Sequence, residues 1–255
     1  MSRLPPSALI DLSDQVEFET GSRLTGIGLI APFDFVLDRE YWEWIPANVS
    51  LHVTRSPFLD QQVGVAMAEQ VSEDEVLTTA AQALTIANPA VTVFACTSGS
   101  FVHGLAGERR CRQAILAGGA RRALTTSGAL VEALTALAIK RLAVVTPYDA
   151  ATTMRLIEFL GEAGFRTTSC AFLGLKDDIF RVSPGTVDRL VRAADGGDAE
   201  AIFISCTNLW TREVISALEH ELGKAVLSAN QVTVWAALKA VGAKGEVPGQ
   251  RLFTV

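Results

Sequence analysis

The 255-residue sequence predicts an α/β protein made of two pseudo-symmetric parallel-sheet lobes, with a functional site in the cleft between them. Three observations carry this expectation. Short β-rich apolar runs alternate with helical patterns, as parallel sheets covered on both faces require. The first half of the chain is echoed in the second at three places, in the same order. The middle echo ends an apolar run on a cysteine in each half.

The first 25 residues, with Pro5, Pro6 and a polar stretch to Thr25, read as an N-terminal arm. After them, strands are expected at 26–31 (GIGLIA), 51–54 (LHVT), 91–95 (VTVFA), 142–146 (LAVVT), 167–173 (TTSCAFL), 201–205 (AIFIS) and 225–228 (AVLS). Helical patterns fall at 73–87, 128–139, 150–164, 183–194 and 211–223. Ser183 before Pro184 is an N-cap with proline in the first turn, and Gly164 and Gly223 are C-terminal stops. The aromatic segment at 41–44 (YWEW) packs a helix onto the core, and Arg39 and Arg55 read as surface charges.

The echoes place the chemistry. Apolar strands end in Pro32-Phe33-Asp34 and in Pro147-Tyr148-Asp149. Further on, VTVFA-Cys96-Thr97-Ser98 parallels AIFIS-Cys206-Thr207-Asn208, and proline and cysteine stand 64 residues apart in one half and 59 in the other. A third pair joins 123–139 to 226–242. The expected lobes are 26–122 with a C-terminal return at 226–255, and 123–225. Open parallel sheets bind ligands beyond the carboxyl ends of their strands, where both cysteines fall.

A net charge of −6 gives no electrostatic reason for a nucleic-acid or anionic-membrane partner. The opening residues lack a signal-peptide pattern and no apolar run approaches the roughly 20 residues of a membrane span, so a cytoplasmic protein is expected. In that compartment four cysteines are not a disulfide framework. A small carboxylic acid is the expected partner, and self-association stays open.

Each candidate has a bland reading beside the functional one. A single buried cysteine is usually structural, but a matched pair at equivalent strand ends is not expected from packing alone. Cys96 opens Thr97-Ser98-Gly99-Ser100, whose amides and hydroxyls suit a carboxylate; a helix starting there would lower the thiol pKa from about 8.5. Cys206 is expected in the same arrangement, with Thr207 and Asn208. Cys111 and Cys170 lack that context and are expected to be inert and buried. Pro32 and Pro147 present Phe33, Asp34, Tyr148 and Asp149 to the cleft mouth, where the Tyr148 phenol suits a carboxylate or a proton transfer. Among Thr125, Thr126 and Ser127 at least one is an N-cap, with anion binding as the functional alternative. His52, His103 and His220 share no metal-ligand spacing, and His103 reads as a solvated loop residue. No phosphate-binding glycine motif is present, so neither metal nor organic cofactor is called for.

The segments ACTSGSFVHG, TTSGALVEALTALAIKRLAVVTPYD and ISCTNL resemble the maleate isomerase branch of the aspartate/glutamate racemase superfamily, which includes arylmalonate decarboxylase; the resemblance runs from about Gly26 to Gly242. It implies a cofactor-independent isomerase in which Cys96 adds to or deprotonates the substrate, Cys206 assists, and Tyr148 binds a carboxylate. Arylmalonate decarboxylases keep only the second cysteine, so decarboxylation is the alternative; a non-catalytic small-acid-binding protein is the third. Two departures are visible. Pro32-Phe33-Asp34-Phe35-Val36 replaces the P-S-S-N-T of maleate isomerases, and Asp177-Asp178 replaces a D-N pair, so that Asp178 would repel a dianion. A monoanionic, amino-bearing or aryl-bearing acid is therefore expected.

Overall fold

The computed structural model describes residues 8–17, 24–245 and 247–255. Much of the expected arm (1–7 and 18–23) lies outside the described residues; residues 8–17 are exposed throughout, with one short 3-10 turn at Ser13–Gln15.

Eight strands follow: β1 (Thr25–Ala31), β2 (Val49–Arg55), β3 (Val91–Phe94), β4 (Ala123–Thr125), β5 (Arg141–Thr146), β6 (Arg166–Phe172), β7 (Ala201–Ile204) and β8 (Ala225–Ser228). Among the described residues ten helices accompany them: α1 (Asp38–Trp42), α2 (Val65–Val71), α3 (Asp74–Leu84), α4 (Thr97–Phe101), α5 (Gly104–Ala117), α6 (Thr126–Ala136), α7 (Ala150–Glu162), α8 (Pro184–Ala194), α9 (Arg212–Leu222) and α10 (Ala229–Ala240). Every strand pair is parallel. The orders β2-β1-β3-β4 and β6-β5-β7-β8 are the same order displaced by four strands, so the internal echo is a true structural repeat.

Burial follows that order. The inner strands β3 and β7 are buried at every position and β5 at all but its first, as helices on both faces demand. The edge strands β2 and β6 alternate or lie open. That geometry corrects one expectation: Cys170, on β6, is exposed, whereas Cys111 is buried as expected. It also moves the lobe boundaries. β4 pairs with β3 and β8 with β7, so the first sheet runs to Thr125 and the second to Ser228, not to 122 and 225.

The helices after these two last strands join the lobes. Thr125 caps α6 by accepting from the Gly128 amide at 2.9 Å, and Ser228 caps α10 through a capping box with Gln231. α6 and α10 pack on each other, and Thr126 Oγ1 meets Thr233 Oγ1 at 2.8 Å. Ser127 Oγ lies 2.7 Å from Ser100 Oγ. All three hydroxyls of the 125–127 segment are thus buried structural partners.

The expected caps of α8 are present: Ser183 Oγ accepts from Thr186 N at 3.3 Å, with Pro184 in the first turn. Gly223 ends α9 at φ 67°, a conformation that costs glycine nothing. Tyr41 and Trp44 are buried, as the aromatic segment requires, while Trp42 faces out. From α1, the buried Glu40 carboxylate accepts from Thr211 N (2.6 Å), Thr211 Oγ1 (3.0 Å), Arg212 N (2.5 Å) and Asn230 Nδ2, tying the first lobe to the start of α9 and to α10.

Candidate active site

The carboxyl ends of β1, β3, β5 and β7 converge on one cavity between the lobes. Pro32 and Asp34 follow β1, Cys96, Thr97 and Ser98 follow β3, Tyr148 follows β5, and Cys206, Thr207 and Asn208 follow β7. Nine of the eleven residues proposed from sequence therefore line it. Phe33 does not: its ring packs edge-on against Phe58 at 5.6 Å. Asp178 does not either. It sits in a left-handed turn (φ 50°) that points its carboxylate outward to Arg181 at 3.2 Å, and the next residue, Ile179, enters the cavity in its place.

Val63, Met67 and Ile179 complete the wall. Val63 N donates to Lys176 O at 2.7 Å, joining the loops of the two lobes beside the cavity. The free space is about 20 Å³, room for about one water, so a bound acid must push this apolar wall back. Nothing in the composition of these loops marked the three residues in advance.

The two thiols are not placed alike. Cys96 is the N-cap of α4, and its Sγ accepts from Gly99 N at 3.4 Å, with Ser98 Oγ 3.8 Å away. Gly99 allows that turn to pack closely, since a Cβ there would lie 2.8 Å from the Phe94 ring. Cys206 starts no helix. It holds φ 97°, a strained conformation for a residue with a side chain, and its Sγ accepts from Asn208 N at 3.4 Å. That strained residue lines the cavity.

Burial decides the acidity of both groups. It pushes Cys96 up to about 11, against the Gly99 and Ser98 donors, and Cys206 up to about 12, against the Asn208 amide and the Tyr148 hydroxyl. The lowering expected from a helix N-terminus is overturned, because desolvation outweighs the amide donors of α4. Each thiol's ionisation also opposes that of the other and is opposed by Asp34. Burial raises Tyr148 well above the usual phenol value, so its proton stays on.

Asp34 is raised by burial, partly offset by Asn208 and Arg55. Asn208 Nδ2 donates to Asp34 O at 3.0 Å and to Oδ2 at 3.3 Å, while Asn208 Oδ1 accepts from Val36 N at 3.1 Å, a clasp between the lobes. Arg55 is more than a surface charge: its Nη1 donates to the Phe33 and Phe35 carbonyls and fixes the loop that carries Asp34. The counterpart Asp149 turns away from the cavity, caps α7 through Thr152 N at 2.9 Å, and is held at about 2 chiefly by its bond to Lys176. Thr97 Oγ1 is buried without a partner, an open donor at the site. His103 is exposed, and among the described residues no three His, Cys, Asp or Glu side chains cluster as a metal would require.

Fold and site define a class: two-lobed α/β proteins whose parallel strand ends meet in one interlobe cavity. The chain belongs to the arylmalonate decarboxylase family, whose sequence model matches residues 45–253. It is 30% identical to an arylmalonate decarboxylase of Bordetella bronchiseptica over 82% of this chain and 91% of that one. To a maleate isomerase of Geobacillus stearothermophilus it is also 30% identical, over 51% of this chain and 53% of the relative, about half the length of that protein. A crystal structure of a doubly mutated arylmalonate decarboxylase in its liganded form superposes with a TM-score of 0.82 at 27% identity, covering 90% of this chain and 98% of that chain. The family resemblance and the two-lobe fold read from sequence both hold. Among the described residues no helix is long and apolar enough to cross a membrane.

Proposed function

We propose that the protein is a cofactor-independent isomerase of a small carboxylic acid, acting through Cys96 and Cys206. The observation that carries this reading is the pair of buried thiols on one cavity that also offers the Thr97, Ser98, Thr207 and Tyr148 hydroxyls to a carboxylate. Because each ionised sulfur opposes ionisation of the other, the pair works with one negative charge: one thiolate to take a proton or add to carbon, one thiol to give a proton back. Cys96, which caps α4 and whose Sγ accepts from Gly99 N, is assigned the base or nucleophile role; Cys206 is the acid. Hydroxyl donors around the carboxylate stabilise the charge that develops on it.

A second reading, decarboxylation with Cys206 protonating the resulting enediolate, is favoured by the higher identity to an arylmalonate decarboxylase (30% over 82% of this chain) than to the maleate isomerase of Alcaligenes faecalis that aligns as widely (24% over 84%). Incubation of candidate acids in heavy water separates the two. Isomerisation by proton transfer gives deuterium at carbon without carbon dioxide, isomerisation by thiolate addition and elimination gives the geometric isomer without it, and decarboxylation releases carbon dioxide. A Cys96→Ala variant that exchanges substrate protons at the parent rate would refute the role given to that thiol.

A further inference from the structure

The cavity carries one ionisable carboxyl and no cation. Among its described lining residues there is no Lys, Arg or His, and Asp34 is the one carboxyl. The nearest guanidinium, Arg55, is engaged by two main-chain carbonyls and lies 5.9 Å over the Phe35 ring, outside the cavity. Internal symmetry sharpens the point. Asp149, the equivalent residue of the second lobe, faces away, caps a helix and is neutralised by Lys176. Asp34 has neither a helix to cap nor an ammonium partner, and its carboxylate receives a 3.3 Å bond from Asn208 and one from its own main-chain amide, leaving acceptor capacity in hand. The same Asn208 grips the Asp34 carbonyl and the Val36 amide, so the carboxylate cannot readily swing out. At the same site Thr97 Oγ1 is a buried hydroxyl without a partner, suited to one carboxylate.

We propose that Asp34 is the specificity-determining residue of this cavity: it receives a cationic nitrogen, so that the site takes a zwitterionic monocarboxylate, its carboxylate on the Thr97 hydroxyl and neighbouring donors, and turns away dicarboxylate dianions. This rests on the cavity being the substrate site and goes beyond it by naming the substrate class. The sequence placed the anion-repelling carboxylate at Asp178; the structure moves that role to Asp34. A second carboxylate entering here meets a like charge in a water-poor space that Arg55 offsets only in part from outside the cavity, whereas an ammonium meets its counter-charge.

The test uses two unreactive acids that differ at one end only. β-Alanine and succinate share a carboxylate and two methylenes, and carry an ammonium or a second carboxylate at the other end. Calorimetric titration of the full chain at pH 8 is expected to show β-alanine binding at least about tenfold more tightly than succinate, and Asp34→Asn to reduce that ratio about tenfold or more, with succinate binding equal or improved. Equal or preferred binding of succinate by the parent protein, no binding of either acid, or an unchanged ratio in Asp34→Asn overturns the proposal. The parent ratio decides the matter even where the variant does not fold. The catalytic reading is tested separately: Cys96→Ser should keep the ratio, and a kept ratio with no proton exchange on any acid in the parent protein would leave Asp34 standing while removing the thiol chemistry.

Discussion

In the ligand-free protein Cys96 and Cys206 should react with iodoacetamide far more slowly than ordinary thiols, and raising the pH should accelerate them without a plateau near 9. The magnitude follows from burial. A thiol at its ordinary value of 9.0 is roughly 10% thiolate at pH 8, whereas values of about 11 and about 12 leave roughly 0.1% and 0.01%. Alkylation at pH 8 is then about 100-fold slower at Cys96 and about 1,000-fold slower at Cys206 than in the unfolded chain, before any cost of access. Because Cys170 is exposed on the edge strand, a Cys170→Ser background removes its competing reaction. The assay is a time course of modified peptides by mass spectrometry at pH 8, 9 and 10, beside the same protein in denaturant. The folded-state rate at Cys96 should rise about tenfold per pH unit over that range. A rate at pH 8 equal to the denatured chain, or one that levels off at pH 9, contradicts the claim that desolvation governs this site.

Other outcomes are equally specific. Since both thiols are raised in the folded state, the unfolded chain loses their protons first; stability should be intact below pH 9 and fall as pH climbs from 9 through about 11 and 12, by on the order of 3 kcal/mol for each thiol, and urea midpoints of Cys96→Ser should show a flatter alkaline slope. Glu40→Ala strands buried donors of Thr211, Arg212 and Asn230, at about 1–3 kcal/mol for each donor left unpaired, and should lower stability in urea unfolding by at least about 2 kcal/mol; a loss below about 1 kcal/mol would mean that those donors find other partners. At Cys206, where φ is 97°, Cys206→Gly should be more stable than Cys206→Ala by about 1 kcal/mol while both lose turnover, and the reverse order in a thermal melt would remove the strain argument.

The sequence displayed the lobes and the thiols for the same reason: buried parallel strands must be continuous apolar runs, and the duplicated half repeats them. β7 (AIFI) and β5 (RLAVVT) are unmistakable on that ground. β4 was hidden because three residues carry no period. α5 was missed although its buried positions, Gly107, Glu108, Cys111, Ala114 and Ile115, have helical spacing, since glycine, glutamate and cysteine do not register as an apolar stripe. At the site, equivalence of strand ends located Cys96, Tyr148 and Cys206, but a one-residue difference in how the loops leave the sheets escaped it. Asp34 lines the cavity in one lobe and Tyr148 in the other, with Phe33 and Asp149 turned away. Asp178 failed because side-chain direction in a turn depends on a left-handed φ that spacing does not reveal. Acidity was misjudged because the dipole of a short helix is visible in a motif and burial is not.

Solvent-proton exchange into a substrate acid, followed by NMR in heavy water for four single Cys→Ser proteins, tests the centre of the account. Loss of at least about 100-fold at Cys96 and at Cys206, with Cys111 and Cys170 variants that fold and exchange at parental rates, is the predicted result. Full exchange with either cavity sulfur replaced would contradict it.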